Sequence, residues 1–251
     1  MKTVISFYDY TGEALKPWAE AGYECFAYDI QHDGFTPTEL FDSGGCIRYM
    51  MADLHDEITW QRLLKRHADD DIALVMGFPV CTDLAGSGAC HWTKKAEINP
   101  DFQIEAVNHA QRIALFADDL NVPWMVENPV GRLSTMWRKP NFYFHPWHFG
   151  GYIDMDEAEH PLYPTYIAPR DAYPKKTGIW SGGGFNEPSK RPVCPEAGYS
   201  RQHLKLGGKS AKTKNIRSAT PRGFARAVFD ANDEGPLDKL IHKINLCNSR
   251  I

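Results

Sequence analysis

The sequence contains no apolar run of about 18 residues, the length that a membrane-spanning helix requires, so no membrane contact is expected. Its six cysteines form no Cys-x-x-Cys pair, and free thiols are therefore expected rather than a disulfide framework. Internal repeats and low-complexity tracts are also lacking, which excludes solenoid architectures. The apolar stretch at residues 1–8 meets Asp9 too early for a secretory signal, and we interpret it as a buried strand.

What the chain does contain is typical of one large globular α/β domain, with or without a small appendage. It has 251 residues, of which 43% are hydrophobic and 12% aromatic, so it can bury a full core and is not disordered as a whole. Apolar runs alternate with amphipathic segments, a pattern that predicts a mostly parallel sheet. Strands are predicted at 3–7, 25–29, 72–76, 124–126 and 177–180, and helices at 13–21, 58–68, 102–121, 221–229 and 236–246.

The charges are distributed unevenly along the chain. Residues 1–169 hold 12 basic and 25 acidic side chains, whereas residues 170–226 hold 13 basic and 3 acidic ones, a local balance of +10. A basic segment on an acidic body favours contact with nucleic acid. A solvated loop rich in lysine is the alternative interpretation.

Three predicted strands end in residues that suit chemistry at the carboxyl edge of a parallel sheet, where ligands bind. Asp29 could bind the two hydroxyls of a ribose, Cys81 lies in a proline-shaped loop suited to a nucleophile, and Glu127 could be held protonated by desolvation. Taken singly, each is equally compatible with a surface acid, a structural cysteine or an Asn-Pro turn.

Together, these segments resemble the motifs of the DNA cytosine-5 methyltransferase family, especially its short members from phage-like genomes. The resemblance rests on Gly77-Phe78-Pro79-Val80-Cys81, Glu127-Asn128-Pro129, the segment 173–180 and Ser218-Ala219-Thr220-Pro221. The family's glycine-rich cofactor loop is replaced by Phe7-Tyr8-Asp9-Tyr10-Thr11-Gly12-Glu13, which keeps one glycine, and Val80 stands where the family has a proline.

The resemblance implies a Rossmann-like methyltransferase fold with helices on both faces of the sheet and a much reduced target-recognition region. Residues 1–170 and 217–251 are expected to form the catalytic domain, and residues 171–216 a small basic insert. The implied cofactor is S-adenosyl-L-methionine or a modified derivative. The expected setting is the cytoplasm of a bacterial or phage-infected cell.

The resemblance also implies a role for individual residues, and no metal ligand is among them. The catalytic residues are Cys81, Glu127 and Asn128. The cofactor-binding residues are Phe7, Tyr8, Tyr10, Thr11, Gly12, Asp29, Ile30, Asp53, Leu54 and Pro79. The substrate-binding residues are Thr82, Asp83, Lys175, Lys176 and Thr177.

The implied reaction is modification of cytosine at C5, with Cys81 adding to C6 while Glu127 binds N3. Duplex or single-stranded DNA would bind through the basic segment 170–226, with or without a partner protein. The alternatives are a free deoxycytidine nucleotide as substrate, transfer of a group other than methyl, and a nucleic-acid-binding protein without catalysis. A zinc site at Cys81, Cys90 and His91 is a minor alternative, because this spacing fits no standard zinc motif.

Overall fold

The computed structural model describes residues 1–207 and 210–233, and its centre is an eight-stranded sheet. The strands are β1 (Thr3–Phe7), β2 (Glu24–Asp29), β3 (Glu39–Leu40), β4 (Cys46–Met51), β5 (Ile72–Gly77), β6 (Trp124–Pro129), β7 (Phe142–Phe144) and β8 (Thr177–Gly182). Their order across the sheet is β3-β4-β2-β1-β5-β6-β8-β7.

Eight α-helices surround the sheet in the described part of the chain. They are α1 (Lys16–Glu20), α2 (Glu57–Arg66), α3 (Trp92–Ile98), α4 (Phe102–Asp119), α5 (Leu133–Met136), α6 (Arg201–Lys205), α7 (Ala211–Ser218) and α8 (Arg222–Asn232). One face of the sheet packs on α2 and α4 through Trp60, Ile113 and Phe116. The other face packs on α1 and α8 through Trp18 and Phe224, so both faces are covered by helices.

The strand directions confirm the predicted Rossmann-like α/β fold. Strands β4, β2, β1, β5 and β6 run parallel, and the chain changes direction across the sheet between β1 and β5. Strand β8 is antiparallel to both of its neighbours, β6 and β7. The carboxyl ends of β1, β2, β5 and β6 therefore meet at one edge, where such folds bind their ligands.

Several elements differ from the sequence prediction. Helix α1 begins at Lys16 rather than 13, because Gly12 turns the chain at a φ of +68° and Pro17 starts the helix. Strands β3, β4 and β7 were not predicted. Residues 177–182 of the predicted insert form β8 inside the main sheet. The helix predicted at 236–246 lies outside the described residues.

The described helices include none that is long and apolar enough to cross a bilayer.

The loop after β5 and the loop after β6 are joined by their backbones. Gly86 N donates to the carbonyl of Val130, and Arg132 N donates to the carbonyl of Leu84 at 2.8 Å. Gly131 lies between these contacts, and a Cβ atom there would meet the Leu84 carbonyl oxygen at 1.9 Å. Only glycine permits this approach, which fixes the loop that carries Cys81 against the end of β6.

We expect Gly131→Ala to lower the free energy of unfolding by about 1–3 kcal/mol, because the methyl group forces two backbones apart. Urea denaturation measures this change. Gly34→Ala is the control, since no atom lies within 4 Å of its added Cβ. Equal stability of the two variants would contradict the close packing of the two loops.

Candidate active site

Cys81 lies at the start of a turn directly after β5. The backbone amides of Leu84 and Ala85 both donate to its carbonyl, at 3.0 and 2.8 Å. From the neighbouring strand, Asn128 Nδ2 donates to the carbonyl of Pro79 at 3.1 Å, and the Asn128 side chain is completely buried. The turn that carries the thiol is therefore tied to the end of β6.

Glu127 lies one residue before Asn128 on β6, opposite Ile179 of β8. Burial raises the pKa of its carboxyl, while the ammonium of Lys175 and the nearby hydroxyl of Thr177 oppose that rise. Because a carboxylic acid with a raised pKa keeps its proton to higher pH, Glu127 can donate a hydrogen bond to an acceptor in the cleft.

The charges of Cys81, Glu127 and Lys175 act on one another. Burial raises the pKa of the Cys81 thiol, the Glu127 carboxyl raises it further, and Lys175 lowers it. The Lys175 ammonium is held by a 3.1 Å hydrogen bond to the carbonyl of Arg217, at the end of α7. The geometry thus brings together a nucleophile, an acid and a cation from β5, β6 and the segment before β8.

The other predicted substrate-binding residues are placed differently. Thr82 is exposed beside Cys81, whereas the Asp83 carboxylate forms a salt bridge with Lys95 of α3. Lys176 is exposed and lies over the ring of Tyr143, 4.8 Å from its centroid. Lys175 therefore lies with Cys81 and Glu127, while Lys176 lies on the edge of the sheet.

The predicted adenosine-binding residues follow β2 and β4. Asp29 is 8% exposed and accepts hydrogen bonds from Gln31 on Oδ1 alone, which leaves Oδ2 for a ribose hydroxyl. Ile30 is 61% exposed and offers an apolar surface for a base. Asp53 is exposed, whereas the Leu54 side chain is in the core and its carbonyl accepts a hydrogen bond from Tyr8.

The loop after β1 is organised around a buried carboxylate. Asp9 is 3% exposed and accepts hydrogen bonds from Ser6 Oγ and from Gly12 N, both at 2.8 Å. Burial raises the pKa of this carboxyl. Tyr8 adopts a φ of +58°, a backbone conformation that residues other than glycine rarely take.

Gly12 is enclosed in this loop, since a Cβ there would lie 2.6 Å from the Tyr49 hydroxyl. Its amide is already bonded to Asp9. The adenosine half of S-adenosyl-L-methionine therefore fits the groups present at Asp29 and Ile30. Its amino-acid end would need partners other than the amide of Gly12.

Sequence reasoning missed two residues near the site. Tyr173 is buried; burial raises the pKa of its hydroxyl, and it lies close enough to Glu127 for the carboxyl to raise that pKa further. Tyr49 encloses Gly12 from β4, a strand that the sequence pattern did not reveal. Tyr173 opens the segment 173–180, in which only Lys175, Lys176 and Thr177 were assigned a role, whereas Tyr49 belongs to no recognisable motif. Only the tertiary fold brings the two tyrosines to the cleft.

Across residues 1–207 and 210–233, no group of three or more histidine, cysteine or acidic side chains is arranged to hold a metal ion. The zinc alternative at Cys81, Cys90 and His91 therefore has no geometric support. The five described cysteines are free thiols, as expected, and Cys247 lies outside the described residues.

Comparison with known proteins finds no matching family model and no matching curated protein. Among solved structures, the chain is similar to an E. coli protein described as a DNA modification methyltransferase encoded within a prophage. The identity is 12% and the TM-score is 0.41, over 72% of this chain and 46% of that one. The chain thus spans about half of that protein, and a similarity at this level carries no argument about activity.

We expect Lys175→Met to slow alkylation of Cys81 by iodoacetamide at pH 8 by about threefold to tenfold, because loss of the cation raises the pKa of the thiol. Glu127→Gln should accelerate it, because a group that raises this pKa is removed. Mass spectrometry of the Cys81 peptide measures both rates. The exposed Cys194 in the same digests is the internal control, and unchanged Cys81 rates in both variants would refute the coupling.

Proposed function

We propose that this protein uses S-adenosyl-L-methionine to modify, most simply to methylate, C5 of cytosine in DNA. The observation that carries the proposal is the meeting of Cys81 and Glu127 at adjacent strand ends, with Lys175 acting on both. A thiol that can act as a nucleophile and an acid whose pKa is raised by burial, in one cleft, are the two groups that activation of a cytosine ring requires.

The proposed mechanism starts with addition of Cys81 Sγ to C6 of the base. Glu127 donates a hydrogen bond to N3, so that the charge pushed into the ring is stabilised and C5 becomes nucleophilic. The bound cofactor supplies an electrophilic methyl group. C5 would take the methyl group as the bond between that group and the cofactor's sulfur breaks, which leaves S-adenosylhomocysteine. The C5 proton then passes to solvent, the electrons of the C5–H bond form the C5–C6 double bond, and Cys81 leaves C6 as a thiolate.

Asn128 and Lys175 act in support of this pair. Asn128 is a positioning residue, because its side-chain amide holds the carbonyl of Pro79 two residues before the thiol. The positive charge of Lys175 favours the thiolate form of Cys81, which is the form that attacks. The same charge suits a phosphate of the target nucleotide.

The distribution of cations supports a polymer substrate. Lys190, Lys212 and Lys214 are exposed in the predicted insert, the latter two on α7, and none of them has an acidic partner in the described structure. Lys175 bonds to the carbonyl of Arg217 on the same helix, so α7 lies beside the catalytic cleft. A DNA backbone on α7 would bring a flipped cytosine near Cys81, at an unpairing cost of about a few kcal/mol.

We expect label from methyl-labelled S-adenosyl-L-methionine to appear in DNA cytosine with the wild type and to fall to background with Cys81→Ala. Duplex DNA, single-stranded DNA and dCMP are tested separately. Cys194→Ala, at an exposed cysteine, is the matched control and should keep full activity. Label in dCMP alone would identify the nucleotide as substrate.

The remaining outcomes separate the alternatives. Cofactor binding without transfer to any substrate would indicate a different transferred group or a missing partner protein. DNA binding without cofactor binding would favour a nucleic-acid-binding protein and overturn the proposal.

DNA that carries 5-fluorocytosine should trap the enzyme covalently, because the ring cannot release fluorine as it releases a proton. A slowly migrating band in a denaturing gel is expected for the wild type, and none for Cys81→Ala. Glu127→Gln should slow adduct formation by about 10²–10⁴-fold, since the acid at N3 is lost. Adduct formation at the wild-type rate in Glu127→Gln would exclude the assigned role of Glu127.

A further inference from the structure

Four polar side chains near the loop after β1 hold buried atoms without a hydrogen-bond partner. These atoms are Glu13 Oε2, His160 Nε2, Asp171 Oδ1 and Arg222 Nε. Glu13 and His160 are each 1% exposed, and Asp171 is completely buried. Since buried polar groups are nearly always paired, four such atoms in one region call for a ligand or an internal water.

These side chains belong to one region of the fold. Asp171 lies close enough to Arg222 and Glu13 for both charges to influence its pKa. Arg222 also acts on His160. It donates to the three successive carbonyls of residues 157–159, at 2.9–3.1 Å, which places the loop before His160 against the start of α8.

A cavity of about 320 Å³ opens at this region between α1 and α8. Glu13 and Arg222 both line it, together with Lys16 and Glu159. Glu13 directly follows Gly12, the residue at the end of the proposed cofactor loop. The region therefore adjoins the place where the cofactor's amino-acid end would lie if its ribose is held by Asp29.

The unpartnered atoms divide into two acceptors and two donors. The carboxyl oxygens of Glu13 and Asp171 accept. His160 Nδ1 accepts hydrogen bonds from the amides of Leu162 and Tyr163, both at 3.2 Å. The proton of the neutral ring is therefore assigned to Nε2, which is a donor. Arg222 Nε donates at every pH of interest. Two acceptors and two donors match an ammonium group and a carboxylate on one carbon atom.

We propose that Glu13, His160, Asp171 and Arg222 bind the α-ammonium and α-carboxylate groups of the sulfonium cofactor, in place of the loop amide that Asp9 occupies. This inference rests on the proposed function, because it assumes a cofactor with an amino-acid end. Glu13 and Asp171 hold the ammonium, and Arg222 and His160 hold the carboxylate. Charged side chains thus replace the backbone contacts that a glycine-rich loop provides.

The test is isothermal calorimetry with two probes that share the adenosine group. S-adenosylhomocysteine carries the amino-acid end, and 5′-methylthioadenosine lacks it. We expect the wild type to bind S-adenosylhomocysteine at least tenfold more tightly. Glu13→Gln keeps the side-chain volume, and we expect it to weaken S-adenosylhomocysteine binding at least tenfold while leaving 5′-methylthioadenosine unchanged.

Glu20→Gln, on the same cavity wall, is the matched control and should bind both probes as the wild type does. Arg222→Lys is the second variant and should lose the preference as well. If Arg222→Lys fails to fold, as judged by its thermal transition, Glu13→Gln alone decides the inference.

The outcomes separate the inference from the proposed function. If the wild type prefers S-adenosylhomocysteine and Glu13→Gln keeps that preference, the inference is wrong and the proposed cofactor stands. If Glu13→Gln weakens both probes equally, the cluster only shapes the loop and holds water, and the inference is also wrong. If the wild type binds neither probe, the proposed cofactor class fails, and the inference fails with it.

Discussion

The hydrogen bond from the Asn128 side chain to the carbonyl of Pro79 joins the two loops on which the proposed chemistry depends. The loop after β5 carries Cys81, and the end of β6, from which the second loop starts, carries Glu127. The close approach of Gly131 to Leu84 fixes the same two loops a few residues further on. One side-chain hydrogen bond and one close backbone approach thus hold Cys81 and Glu127, the proposed nucleophile and acid, in register, so neither group has to be ordered by the substrate.

Much of the positive charge in residues 170–226 is used within the protein. Arg170, Arg217 and Arg222 donate to backbone carbonyls, as do Lys175 and Lys205. In a segment with little regular structure, many backbone carbonyls lack the hydrogen bond that a helix or sheet would provide, and cationic side chains donate to them instead. The excess charge is therefore partly structural, and the cations that remain for a phosphate backbone are fewer than the sequence suggests.

The sequence predicted the sheet best where its strands are buried on both faces. Strands β1, β2, β5 and β6 are short apolar runs, and Asp29, Cys81 and Glu127 lie at or just after the carboxyl ends of three of them. Because such strands pair in parallel, the sequence was enough to predict that these three residues lie along one edge of the sheet. Strand β4 has Arg48 and Tyr49 among its apolar residues and shows no clear alternation of polar and apolar residues, so the sequence pattern did not predict it. In α4 the helical period holds, since Ala110, Ala114 and Ala117 lie in the core together with Ile113 and Phe116, and Ile104 near the start of the helix is exposed.

The site near α8 could not be predicted from the sequence for a related reason. Glu13, His160, Asp171 and Arg222 are far apart along the chain, and Glu13 and Arg222 stand at the starts of predicted helices while the other two lie in irregular segments. A charged residue at such a position is normally solvated, and no sequence pattern indicates that Glu13, His160 and Asp171 are buried or that Arg222 Nε is. Their burial follows from the packing of α1 against α8, which only the tertiary structure reveals.

The antiparallel strand β8 has a consequence for the order in which the molecule folds. In the sheet, β7 pairs only with β8, and a connection of more than 30 residues separates these two strands. Their pairing closes a long loop, and we expect it to form late in folding because loop closure costs entropy. Lys175 and Thr177 reach Glu127 in the same event, since Pro129 pairs with Thr177. A chain that is still folding therefore holds its thiol and its acid without their cation, and the reactive site is completed together with the sheet.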